Sequence, residues 1–111
     1  MKLLTKEIEK RIPKLDSTEI TAIHEKRIAV KYFTPDSHWT WYAFEGERDD
    51  TGDVIFFGVV DGFEIEMGYF SLRELAAVRG PRGLPVERDL YFGTPKVSEV
   101  SELSSWAKQF N

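Results

Sequence analysis

Leu4, Ile8 and Ile12 recur every four residues and trace one apolar stripe on a short N-terminal helix. Thr5 stands where an N-cap belongs, and Pro13, which has no N–H to donate, ends the ladder. The stretch from Asp16 to Lys26 fits a helical turn or an irregular loop equally well. From Arg27 the period falls to two. Ile28, Val30 and Tyr32 alternate with Ala29, Lys31 and Phe33, which predicts a strand. Thr34-Pro35-Asp36-Ser37 has turn chemistry. A second strand is predicted over His38–Glu45, with Trp39, Trp41 and Ala43 on one face and Thr40, Tyr42 and Phe44 on the other. Gly46–Gly52 is a charged connector, followed by strands over Asp53–Val60 and from Phe63 to about Phe70. The third strand is apolar on both faces, so cover is expected on both sides of it.

Asp61-Gly62 suits a two-residue hairpin turn, whose central residues both need positive φ. That turn predicts a register: Val60 opposite Phe63, Gly58 opposite Ile65, Phe56 opposite Met67 and Val54 opposite Tyr69, all on a core face. Glu64 and Glu66 then fall on the other face, opposite Val59 and Phe57. Ser71-Leu72-Arg73-Glu74 has the spacing of a capping box and opens a middle helix closed by Gly80 and Pro81. Val86–Phe92 fits a short strand or turn, with Leu90-Tyr91-Phe92 packed inward. Thr94-Pro95 reads as the start of a last helix, whose stripe is Val97, Val100, Leu103, Ala107 and Phe110. The expected architecture is a single α+β domain over residues 1–111. It is an antiparallel four-stranded meander with flanking N-terminal, middle and C-terminal helices.

Composition narrows the function classes. The 111 residues contain no cysteine, which removes disulfides, thiol nucleophiles and cysteine zinc sites. No apolar run is long enough to span a bilayer, and Met1–Leu4 runs at once into charged residues. A cytoplasmic protein with no membrane association is expected. Charge is segregated within the net of −4. Asp36–Glu66 holds nine acidic residues and only Arg48 as a base; Arg73–Arg88 holds four arginines and two glutamates.

The candidate chemistry is sparse. His24 and His38 lack metal-ligand spacing, and the Asp49/Asp50/Asp53 cluster lacks the alternation of a calcium loop, so a solvated connector is expected there. No metal, cofactor or catalytic residue is assigned. Glu64 and Glu66 share a strand face, either solvated or paired with arginine. Arg79 and Arg82 flank a Gly-Pro break with no local acidic partner, which leaves them free for a ligand or another chain. Arg73 and Arg88 are expected to be partly buried and paired with carboxylates. Fifteen residues are aromatic, 14% of the chain; core packing is expected for most of them, and a set left on an uncovered face would mark an interaction site. Trp39, Trp41 and Tyr42 are therefore candidate anchors for a partner. The candidate binding set is Arg79, Arg82, Trp39, Trp41, Tyr42, Glu64 and Glu66.

Several motifs carry a resemblance. The run Gly68-Tyr69-Phe70-Ser71-Leu72-Arg73-Glu74-Leu75 continues through Val78-Arg79-Gly80-Pro81 to Gly83-Leu84-Pro85-Val86-Glu87-Arg88-Asp89-Leu90-Tyr91-Phe92. Together with Phe33-Thr34-Pro35-Asp36-Ser37 and Trp39-Thr40-Trp41-Tyr42, it resembles the bacterial, mobile-element-associated domain of unknown function family 2958. The resemblance implies a cytoplasmic protein of plasmid or phage origin and carries over no catalytic residue. The expected function is that of a small accessory protein acting by protein–protein binding; its sharper form is inhibition of a host defence system. The alternative is a small enzyme acting on a phosphorylated or nucleotide substrate through the arginine-rich loop. A nucleic-acid module is disfavoured, because backbone affinity needs a surplus of Lys and Arg. The purified protein should therefore bind duplex DNA only weakly in a gel shift at physiological salt. Tight, salt-sensitive binding would reverse that ordering.

Overall fold

The computed structural model describes residues 1–110. Helix α1 spans Lys6–Arg11; the Thr5 side chain accepts from the Ile8 N–H, as the N-cap position requires. Strands β1 (Val30–Phe33), β2 (Thr40–Arg48), β3 (Val54–Asp61) and β4 (Ile65–Ser71) form the expected meander. A fifth strand, β5 (Glu87–Arg88), pairs antiparallel with β1, so the sheet has five strands in the order β4-β3-β2-β1-β5. The four-stranded expectation stopped short because β5 is only two residues long, too short for a periodic signal. Helix α2 covers Leu72–Ala77 and is capped by Ser71, whose side chain accepts from the Glu74 N–H. Helix α3 covers Ser101–Ala107.

Both faces of the sheet are covered, as the doubly apolar third strand demands. On one face Val30, Tyr32, Trp41, Ala43, Val54, Phe56 and Phe70 pack with Ile12 and with Leu75 of α2. On the other, Ile28, Tyr42, Phe44 and Val59 pack with Val97, Val100, Leu103 and Ala107. Each fully buried side chain such as Val97 or Leu103 contributes about 1.5–3 kcal/mol to that cover. The C-terminal stripe is thus read correctly, but its helix starts later than expected. Residues 94–96 lie extended beside 26–28 instead, and a 3-10 turn over Val97–Glu99 precedes α3: the Ile28 N–H donates to the Pro95 carbonyl (2.8 Å) and the Val97 N–H to the Lys26 carbonyl (3.0 Å). Leu90 and Tyr91 do not pack inward; Tyr91 is 95% exposed, and only Phe92 reaches a core, against Tyr42.

The β3–β4 register differs from the expected one. Asp61 pairs with Ile65, Val59 with Met67, Phe57 with Tyr69 and Phe56 with Phe70. Three residues, Gly62 to Glu64, make the turn instead of two. The change turns β4 over relative to β3. Met67 and Tyr69 leave the Phe56 face and stand 37% and 63% exposed, while Phe70 takes the core position beside Phe56 (5.3 Å between rings).

One irregularity organises the rest. The β2–β3 register shifts between Ala43 and Glu45, a β-bulge that delivers Phe44 and then Glu45 to the same side of the sheet. Glu45 is 3% exposed. Its carboxylate accepts from the N–H groups of Asp16 (2.8 Å) and Thr18 (3.1 Å) and from the Thr18 hydroxyl. Asp16 has φ of +67°, so the carboxylate holds a chain reversal that few side chains favour. Buried Lys26 completes the network, donating to the Thr18 carbonyl and hydroxyl and lying 5.8 Å above the Phe44 ring. Burial pushes the Glu45 carboxyl upward, but its hydrogen bonds and the Lys26 charge outweigh that and hold it below the ordinary value. The stability this gives is complete above the unfolded-state carboxylate range near 4.5 and is lost as pH falls through the lower folded value. Glu45→Gln should therefore lower stability by on the order of 3 kcal/mol at neutral pH, because it leaves Lys26 buried without its counter-charge. It should also flatten the acid limb of a pH–stability curve measured by urea unfolding.

Candidate interaction surface

Three connections meet at one end of the sheet: the β1–β2 turn, the β3–β4 turn and the loop after α2. The first is closed by the Thr34 N–H donating to the Trp39 carbonyl (3.0 Å) and by a Thr34–Ser37 hydroxyl contact. Two glycines let the other connections approach it. A Cβ on Gly62 would lie 2.3 Å from the Trp39 ring, so only glycine lets the indole lie against the β3–β4 turn. A Cβ on Gly80 would lie 1.6 Å from Asp36 Oδ1; without it, Asp36 reaches into the loop and accepts from the Arg82 N–H (2.7 Å). His38 Nε2 donates to the Gly62 carbonyl (3.2 Å), a second tie between the two turns.

Trp39 is the centre of this surface. It lines an apolar cleft of about 520 Å³ with His38, Trp41, Val78, Arg79 and Pro81. It also lines a second cleft of about 370 Å³ with Val60, Phe63, Glu64 and Glu66. Phe63 meets the Trp39 ring edge-on at 5.3 Å yet remains 89% exposed. An aromatic ridge thus separates a cationic rim at Arg79 from an acidic rim at Glu64 and Glu66. This arrangement can bind an apolar side chain between charged flanks, and it brings together five residues from distant parts of the sequence.

Two members of the candidate set lie elsewhere in their roles. Tyr42 is buried in the opposite core, where burial first and the nearby carboxylates of Glu102, Asp61 and Asp89 second push its hydroxyl up to about 12. Its strand parity, opposite to Trp41, removes it from any surface on the Trp39 side. Arg82 is exposed and tied in through its backbone alone. Phe63 is the member that sequence reading missed. The two-residue turn placed it in a core pair; its position between Gly62 and Glu64, in a polar turn, was the available signal.

Carboxylates are paired by Arg48, with Glu9 (2.6 Å), and by Arg27, with Glu99 (3.7 Å), whereas the side chains of Arg73, Arg79 and Arg88 act on carbonyls. Arg73 donates to the Thr51 carbonyl (2.6 Å) and hydroxyl (3.1 Å), and its own N–H donates to Asp53 Oδ1 (3.0 Å). Arg88 donates to the Lys2 carbonyl. The expected buried ion pairs are not formed by either, because chain ends and turns supply unpaired carbonyls closer at hand. Arg79 does the same at the end of α2, donating to the Ala76 (2.9 Å) and Val78 (2.8 Å) carbonyls. In the acidic connector Asp49 Oδ1 accepts from Thr51 and from the Asp53 N–H (3.1 Å), while Arg48 reaches Glu9 of α1 (2.6 Å). Among the described residues, no three His, Asp or Glu side chains are grouped to hold a metal ion. Arg79→Ala should cost about 1 kcal/mol by uncapping α2, comparable with Arg73→Ala and Arg88→Ala, whereas Arg82→Ala should change stability by less than about 0.5 kcal/mol. Thermal unfolding of the four variants measures the ranking.

No curated protein and no solved structure is significantly similar to the chain. A family model does match it, over residues 3–111, nearly the whole sequence. With that coverage, the protein belongs to the family described as protein of unknown function DUF2958.

Proposed function

We propose that this protein is a small accessory factor of a bacterial mobile element that acts in the cytoplasm by binding another protein through the Trp39–Phe63 surface. The observation that carries the reading is Phe63, an aromatic side chain held almost wholly in water against a second aromatic. Burying it in a partner recovers the solvation cost of that exposure. The charged rims set orientation: a partner residue seated beside Trp39 would have an acidic neighbour toward Arg79 and a basic one toward Glu64 and Glu66. The mobile-element part of the reading follows from the family resemblance of the motif run. Inhibition of a host defence protein is the sharper form that an acidic protein of this size suits.

The test is an affinity capture from lysate of the native host, comparing wild type with Phe63→Asp. Phe63 makes no core contact that folding needs, so the variant should melt at the wild-type temperature. A specific partner should be retained by wild type and weakened by roughly 30-fold in the variant, the loss expected of a hot-spot aromatic. Equal capture by both proteins would sink the reading. A melting temperature raised by a mononucleotide, and not raised in Arg79→Ala, would favour the enzyme alternative instead.

A further inference from the structure

The two margins of the sheet are finished differently. At the β1 margin, β5 pairs with Tyr32 and Phe33, the Asp89 N–H donates to the Lys31 carbonyl, and the Ile28 N–H donates to the Pro95 carbonyl. Chain therefore covers that edge. At the other margin, β4 pairs with β3 alone among the described residues. Its seven residues contain no proline and no bulge, and Glu66 is the one charged side chain among them. Gly68 at its middle has nothing near the position of a Cβ, and Met67 and Tyr69 on either side are exposed. An open, regular, partly apolar edge of this length is a template for another strand.

We propose that the occupant is a second copy of this chain, with the two β4 strands joined antiparallel about a two-fold axis at Gly68, so that two five-stranded sheets become one. The sequence of the edge is self-complementary in that register. Met67 of each copy faces Tyr69 of the other, a thioether beside an aromatic ring, and the pair occurs twice. Glu66 faces Phe70. Ile65 faces Ser71, so within the seven residues no two charges are set against each other. Neighbouring registers lack the Met67–Tyr69 pair. An axis at Glu66 sets two carboxylates face to face, and an axis at Tyr69 sets Met67 against Ser71. An axis at Met67 sets Tyr69 against Ile65. The inference uses a different surface from the Trp39–Phe63 ridge and goes beyond the proposed function.

The test is sedimentation equilibrium of the purified chain over a concentration series. Wild type should fit a monomer–dimer equilibrium. Met67→Lys with Tyr69→Lys places four like charges at the joint and should weaken dimerisation by about tenfold or more, with an unchanged circular dichroism spectrum. Phe63→Asp should leave the dimer intact, so loss of partner capture and loss of dimer are separable. A monomer at every concentration overturns the proposal, as does a dimer indifferent to the Met67→Lys, Tyr69→Lys variant.

Discussion

Strands β2 and β3 are apolar on both faces, and water has to be kept from each. Everything else in the fold answers that demand. With 111 residues there is chain enough for one thin layer on either side. The first is built from the N-terminal segment, α1 and α2 over Phe56 and Tyr32. The second is built from the 3-10 turns at Ile23–Glu25 and Val97–Glu99 and from α3, over Tyr42, Phe44 and Val59. Neither layer has a long helix, so short pieces are held in place by specific bonds. The Glu45–Thr18–Lys26 network does this for the segment between α1 and β1, and the bulge at Phe44 is what turns Glu45 toward it. A carboxylate buried in a second-face core is costly unless fully bonded. Here the backbone N–H groups of a tight reversal supply the bonds, and in return they are satisfied themselves.

The interaction surface is a by-product of the same economy of chain. Three connections crowd one end of the sheet because a meander and a helix return there, and glycines at 62 and 80 let them touch. The layers run out before that end is covered. Trp39 is shared between the core and the outside, with Trp41 beneath it and Phe63 beside it. Arginine takes on the bonding of loose carbonyls at helix ends and turns, since its five donors can reach several at once. That explains why the side chains of Arg73, Arg79 and Arg88 are anchored without a carboxylate.

Much of the architecture was legible from the order of residues. Thr5 and Ser71 cap helices because their side chains bond the N–H groups two or three positions on, a local matter. Strands β1 to β4 follow from alternation, and the stripe Val97, Val100, Leu103, Ala107 identifies a buried face whichever helix type carries it. Of the interaction surface, Trp39, Trp41, Arg79, Glu64 and Glu66 were legible by residue type and charge pattern, though not as neighbours. What lay outside local chemistry was decided by contact between distant segments. The turn after Asp61 became three residues long, which set Phe70, not Met67 or Tyr69, beside Phe56. Residues 94–97 paired with 26–28 and so delayed α3. Tyr42 went to the core because its parity on β2 opposes that of Trp41, and Phe63 came to the surface with the longer turn. Spacing along the chain determines which face a residue shares with its near neighbours. Which face is covered, and by what, depends on packing between elements far apart in sequence, and that is a property of the tertiary structure alone.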